Sequence, residues 1–235
     1  MRTTLVLAVL ALTLAVAPRA APSGPAATVS FLDGEATRTA AGRTEALRSG
    51  TALHEGDLVE TRRRTRLELS LADGSVLRLG PLSRARLETA VFGASPEDRR
   101  VSARLLVGDV WAKVAKAVGG EARFEVQTEN AVAGVRGTTF RVDAAHDRSV
   151  VVRVYSGAVA VAGGPIPLPS HGGGGSRRQV PGPQEVTREQ WERVVTSMME
   201  VRVSAQGEPE EPRAFALAAA DEWEAWNRER DAAGR

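Results

Sequence analysis

The sequence predicts a mainly β protein that ends in two α-helices. Three observations carry this expectation. Apolar and polar residues alternate with period two from Thr28 to about Val161, as in half-buried strands. Glycine-containing turns separate many of these short runs at close intervals, which argues for a sandwich, a barrel or a solenoid. After a Gly/Pro-rich break, apolar residues recur at helical spacing instead.

The 235 residues allow one fair-sized domain with extensions, or two small domains. Hydrophobic residues make up 43% of the chain but aromatics only 4%, so small and branched aliphatic residues, chiefly Val, Leu and Ala, must build the core. Lys113 and Lys116 are the only lysines. Arginine therefore carries the positive charge, a bias that follows equally from GC-rich codons or from a use for bidentate carboxylate and phosphate contacts. The absence of cysteine rules out disulfides, thiolate metal sites and a lipid-anchored N-terminal cysteine.

The elements follow in order. Arg2 precedes an apolar run from Leu5 to Ala17, and small residues and prolines follow to Ala27. This is the layout of a secretory signal, with Ala20, Ala21 and Ala26 as candidate cleavage points. The run is too short to span a bilayer, which takes about 20 residues. Residues 1–27 are thus read as signal peptide and cleavage region, and the mature chain as periplasmic or secreted with no membrane span.

Residues 28–162 form the expected β domain. Leu67, Leu69 and Leu71 alternate with Glu68 and Ser70, Asp73-Gly74 marks a turn, and Leu77 and Leu79 flank Arg78. Further strand candidates are 101–107, 110–114, 123–127, 138–142, 150–155 and 158–161. Residues 163–186 read as a Gly/Pro-rich linker and 187–235 as a helical tail. In the tail, Thr187 and Gln190 offer a capping box, and Trp191, Val194, Val195 and Met198 sit at helical spacing. A last helix is expected from about Ala214 to Ala232, with Phe215, Ala219, Trp223 and Trp226 on one stripe. It either docks on the β domain or serves as a partner-binding tail through Trp223 and Trp226.

The most distinctive stretch is Thr128 to Phe140, TENAVAGVRGTTF. Gly134 and Gly137 flank Val135-Arg136, and glycine permits positive φ or close backbone approach. Arg136 is expected to meet an acid, with Asp57, Asp73 and Glu125 as candidates, and to fix the turn by a charge-assisted contact. Thr138 and Phe140 resume strand character.

In order along the chain stand Gly56-Asp57-Leu58-Val59-Glu60-Thr61, Asp73-Gly74-Ser75-Val76-Leu77-Arg78-Leu79-Gly80, Gly108-Asp109-Val110-Trp111-Ala112-Lys113-Val114, and the segment from Phe124 through Thr128 to Phe140. Together they resemble the FecR domain, with Glu129 where that family usually has proline. The resemblance covers roughly residues 30–162. It implies a two-layered, twisted, solenoid-like β sandwich, and an outer domain that senses another envelope protein. The family's namesake, a membrane-spanning regulator of iron-siderophore uptake, also carries a cytosolic anti-sigma segment, and this sequence shows none.

No catalytic constellation is found. His54, His146 and His171 are scattered, and no HExxH, GxSxG or SxxK pattern occurs. Asp143 and Asp147 flank a hairpin loop that reads as a solvated turn rather than a metal site. Asp57 and Asp73 sit beside glycines, where Asp commonly caps its own backbone. The reading is therefore a non-enzymatic, cofactor-free module whose partner is another envelope protein. The alternative partner is an anionic envelope polymer such as polysaccharide or peptidoglycan, contacted by Arg62, Arg63, Arg64 and Arg66; nucleic acid is not expected.

Overall fold

The structure is a computed structural model that describes residues 24–93, 98–116, 123–135, 137–164, 192–218 and 220–234. The strands are β1 (Ala27–Asp33), β2 (Ala36–Ala40), β3 (Arg43–Ala46), β4 (Ala52–Leu53), β5 (Leu58–Thr61), β6 (Arg66–Leu71), β7 (Val76–Leu79), β8 (Arg84–Phe92) and β9 (Arg99–Lys113). They continue as β10 (Arg123–Gln127), β11 (Ala131–Val135), β12 (Thr139–Ala144), β13 (Val150–Ser156), β14 (Ala158–Gly163), β15 (Glu192–Thr196), β16 (Met199–Val203) and β17 (Arg213–Ala214). One helix, α1 (Glu222–Ala232), closes the described chain.

The strands divide between two sheets. The first runs β4-β1-β6-β7-β9-β12-β13-β16-β17 and is antiparallel throughout. The second runs β3-β2-β5-β8-β9-β10-β11-β14-β15. Strand β9 belongs to both: residues up to Val107 pair with β8, and residues from Gly108 onward pair with β12. Buried residues of both sheets, among them Leu67, Leu79, Phe140 and Val154 from the first and Val59, Leu105, Val126 and Val161 from the second, form one hydrophobic cluster.

The chain moves between the sheets repeatedly, and left-handed residues mark many of these crossings, including Gly34, Arg64, Leu82, Gly108, Gly137, Gly157 and Met198. Gly108 shows the reason. Its φ is +95°, and a Cβ there would lie 2.5 Å from the Cα of Ser83. Only glycine lets β9 change sheets against that backbone.

Two expectations are corrected. Successive solenoid coils would pair in parallel, yet among the described residues only β9 with β10 does so and the other ladders are antiparallel. Of the two expected helices, the first is replaced by two strands in different sheets: β15 extends the second sheet beside β14, and β16 extends the first beside β13. The run of Val194-Val195 and Val201-Arg202-Val203 suits a pleated surface, and two open sheet edges decide the competition between the periods. The capping pair Thr187 and Gln190, and Trp191 with them, lie outside the described residues. The last helix is shorter than expected, because Asp221 caps it: its side chain accepts a hydrogen bond from the Glu224 N–H at 2.9 Å. Phe215 lies before the helix and packs edge-on against Tyr155.

Candidate functional site

Alternation gives the first sheet an apolar inner face and a polar outer one. On the outer face one lateral row of paired residues crosses eight strands: Phe31, Glu68, Arg78, Trp111, Arg141, Arg153, Glu200 and Arg213. Water does not cover this row evenly, because helix α1 lies over it. Arg78 is 0% exposed and Glu68 4%.

The helix is held mainly by charge. Glu68 accepts from Arg78 Nε at 2.7 Å, from Arg230 at 2.9 and 3.1 Å, and from Ser30 at 2.8 Å. Burial pushes its carboxyl upward, but these donors outweigh burial and leave its pKa lowered to about 2. Asp231 accepts from Arg78 at 2.8 Å and from the Trp111 indole at 3.0 Å. At the other end Arg141 pairs with Asp143, with Asp221 at 2.6 Å and with Asp109 at 3.4 Å. Burial opposes the Arg141 charge, and Asp143, Asp109 and Asp221 raise its pKa in spite of that. Asp143 moves upward through burial and the neighbouring Asp109 carboxyl, against Arg141 and Arg153. Tyr155 is raised by burial and by Glu224, to which its hydroxyl donates at 3.1 Å.

At the N-terminal end of α1 a cleft of about 700 Å³ opens, lined by Asp33, Arg63, Arg64, Arg66, Pro81, Leu82, Glu222 and Trp223. The arginines come from the β5–β6 turn, which is braced by its neighbours. The Thr65 hydroxyl donates to the Glu35 carbonyl at 2.9 Å and accepts from the Glu35 N–H at 3.1 Å. The Arg62 N–H reaches that same carbonyl, also at 2.9 Å. Arg63 and Arg64 are exposed and form no ion pair among the described residues, while Arg66 reaches Glu222 at 4.0 Å. Part of the lining is apolar. Leu82 is 55% exposed, and Trp223, 7% exposed, stacks on Trp226 at 5.2 Å between ring centroids. The Trp223 indole N–H is buried and has no hydrogen-bond partner among the described residues. Trp226 is packed by Phe31 and by the guanidinium groups of Arg66, Arg78 and Arg230.

The residues singled out in the sequence therefore fall into two groups. Arg63, Arg64 and Trp223 converge on the cleft, with Trp226 stacked behind; Arg62 stands in the same turn but does not line it. The others shape the framework. Asp57 accepts from the His54 N–H at 2.8 Å and Asp73 from the Ser75 N–H at 2.9 Å, so each closes its own turn. Gly56 and Gly74 hold positive φ in those turns. Thr128 exchanges hydrogen bonds with Ala131, Thr138 donates to the Ala158 carbonyl at 2.9 Å, and Phe140 is fully buried.

One sequence expectation changes at this level. Gly134 is not a turn residue: it sits within β11 without positive φ, and the nearest neighbour of an added Cβ is 3.9 Å away. Trp111 is buried under α1 on the outer face of β9. Arg136 lies outside the described residues, and of its candidate partners Asp57 and Asp73 are engaged as above, while Glu125 accepts from Gln127. Among the described residues no group of His, Asp and Glu is placed to hold a metal ion, and no helix is long and apolar enough to cross a membrane.

Residues 57–160 match the FecR protein family. This stretch is a FecR domain. Its ends fall at the β4–β5 turn and within β14, so β1 to β4, β15 to β17 and α1 complete the two sheets from outside the matched FecR stretch. No curated protein matches the chain. Two crystal structures of a candidate anti-sigma factor from Parabacteroides distasonis are similar to it. The first is 19% identical with a TM-score of 0.49, and the match covers 72% of this chain and 63% of that one. The second is 20% identical with a TM-score of 0.48, over 72% and 64%. The chain thus spans less than two thirds of the length of those proteins.

Proposed function

We propose that this FecR-domain chain is exported to the cell envelope and acts there, without catalysis, as a protein-binding sensor or regulatory module. The apolar run before the fold supports export. The FecR match supports a regulatory role. The observation that carries the binding reading is the cleft: Arg63 and Arg64, without an ion pair among the described residues, stand on a braced turn and line it together with the exposed Leu82 and Trp223. An exposed leucine next to a braced turn of arginines combines the apolar and charged contacts that a binding surface presents. A photo-crosslinking side chain at position 82 of the full chain, expressed in its own cells, tests the reading. Adducts to a discrete envelope protein should form at position 82, be lost with Arg63→Glu/Arg64→Glu, and be absent from a probe at Thr44 on β3. Equal adduct yield from positions 82 and 44 would defeat the proposal.

A further inference from the structure

We infer that the cleft takes an acidic peptide segment carrying an apolar side chain, presented by the partner protein. This rests on the binding reading above and names the chemistry of the occupant. Three features define that chemistry. The Arg63 and Arg64 guanidinium groups have no carboxylate among the described residues, and each offers a planar fork suited to one. Their turn cannot fold away to find a partner, because Thr65, Glu35 and the Arg62 N–H fix it. Pro81, Leu82 and Trp223 give the same cleft an apolar part, and Leu82 keeps 55% of its surface in water.

The lining carries three arginines against the two carboxylates of Asp33 and Glu222. That balance decides between two anionic occupants. A polyanion with charge at every repeat would meet Asp33 and Glu222 along with the arginines, and would gain nothing from Leu82. A segment with one or two carboxylates next to a leucine or phenylalanine answers the arginines and the apolar part of the cleft together, and avoids the two acids. The cleft spans the FecR domain and its flanks: the arginines and Leu82 lie within the matched residues, whereas Asp33, Glu222 and Trp223 lie outside them. The recognition is therefore specific to chains that bring a helix such as α1 to this position.

Titration calorimetry on the full chain tests the inference with three probes of similar length. One is an acidic peptide with a central Phe-Leu pair, the second the same peptide with Ser-Ser in its place, and the third a polyuronate. The first should bind, weaken at least about tenfold with Arg63→Glu/Arg64→Glu, and weaken with rising salt. It should also weaken with Leu82→Asn, which keeps a residue tolerant of the left-handed backbone found there, and the Ser-Ser peptide should bind less well. Far-UV circular dichroism shows whether each variant is folded, and both changes are on the exposed surface. Equal binding of the two peptides, or stronger binding of the polyuronate with no response to Leu82→Asn, overturns the inference in favour of an anionic polymer. If position 82 crosslinks a protein whose attached segment lacks acids, the occupant is wrong while the binding reading stands.

Discussion

Arg78 has no exposed surface, and its charge is sustained by Glu68, Asp231 and the carbonyl of Asn227. Removing one member of such a set strands the others, which costs far more than losing a surface pair. Glu68→Gln should therefore lower stability at pH 7 by about 3 kcal/mol, read from urea denaturation. The pH dependence has a definite sign. The folded pKa of Glu68, about 2, lies below the ordinary 4.5, so its contribution is present above 4.5 and fades as pH falls toward 2. The gap between the native chain and Glu68→Gln should hold steady from neutral pH to about 5 and then close; a gap still open at pH 2 would refute the ion-pair account. At this scale the sequence was partly legible. Alternation in Leu67-Glu68-Leu69 and Leu77-Arg78-Leu79 put both charges on one face, and Asp57 and Asp73 beside glycines were readable as turn closers. That Glu68 and Arg78 meet Arg230 and Asp231 was not, because those pairs are separated by most of the chain and depend on which strands become neighbours.

Helix α1 shows how one element is fixed at both ends. Asp221 caps its first turn and also pairs with Arg141 at 2.6 Å, while Arg230 and Asp231 lock its last turn to Glu68 and Arg78. The two roles of Asp221 are separable. Asp221→Asn keeps a good capping side chain and loses the charge, whereas Asp221→Ala loses both. The alanine variant should be less stable than the asparagine variant by about 1 kcal/mol, the worth of a cap, and both less stable than the native chain. Equal stabilities of the two variants would show that the cap contributes nothing. The cap was present in the sequence as Asp221-Glu222-Trp223-Glu224, an acid three residues before another, yet helical spacing through Phe215 and Ala219 hid it by extending the stripe too far. In 192–203 the same spacing argument failed for a different reason. Val194, Val195 and Met198 satisfy a helical period, but alternation of Glu200 and Arg202 with Val201 and Val203 satisfies a strand period equally, and the free edges of β14 and β13 choose between them.

At the scale of the molecule, the two sheets share β9 and one hydrophobic cluster, and the first strand is integral to the first sheet and to that cluster. Ala26 and Ala27 are each 2% exposed, the Ala26 N–H donates to the Leu53 carbonyl at 2.7 Å, and β1 lies between β4 and β6. This bears on where a leader peptide can be removed. Cleavage after Ala26 would delete a buried residue, remove its hydrogen bond to Leu53 and place a new charged amine at the start of β1, where burial penalises it. Cleavage after Ala20 or Ala21 leaves Gly24 and Pro25, both exposed, as a solvated lead into the strand. On the proposed export, the mature chain should therefore begin at Ala21 or Pro22, as intact mass would show. A chain beginning at Ala27 should be produced less stably than one beginning at Pro22 when the two are compared by thermal denaturation. Equal melting temperatures would mean that β1 does not need the residue preceding it. The domain's first folded residue, read from burial and pairing, thus separates the candidate sites that small-residue spacing alone leaves equivalent.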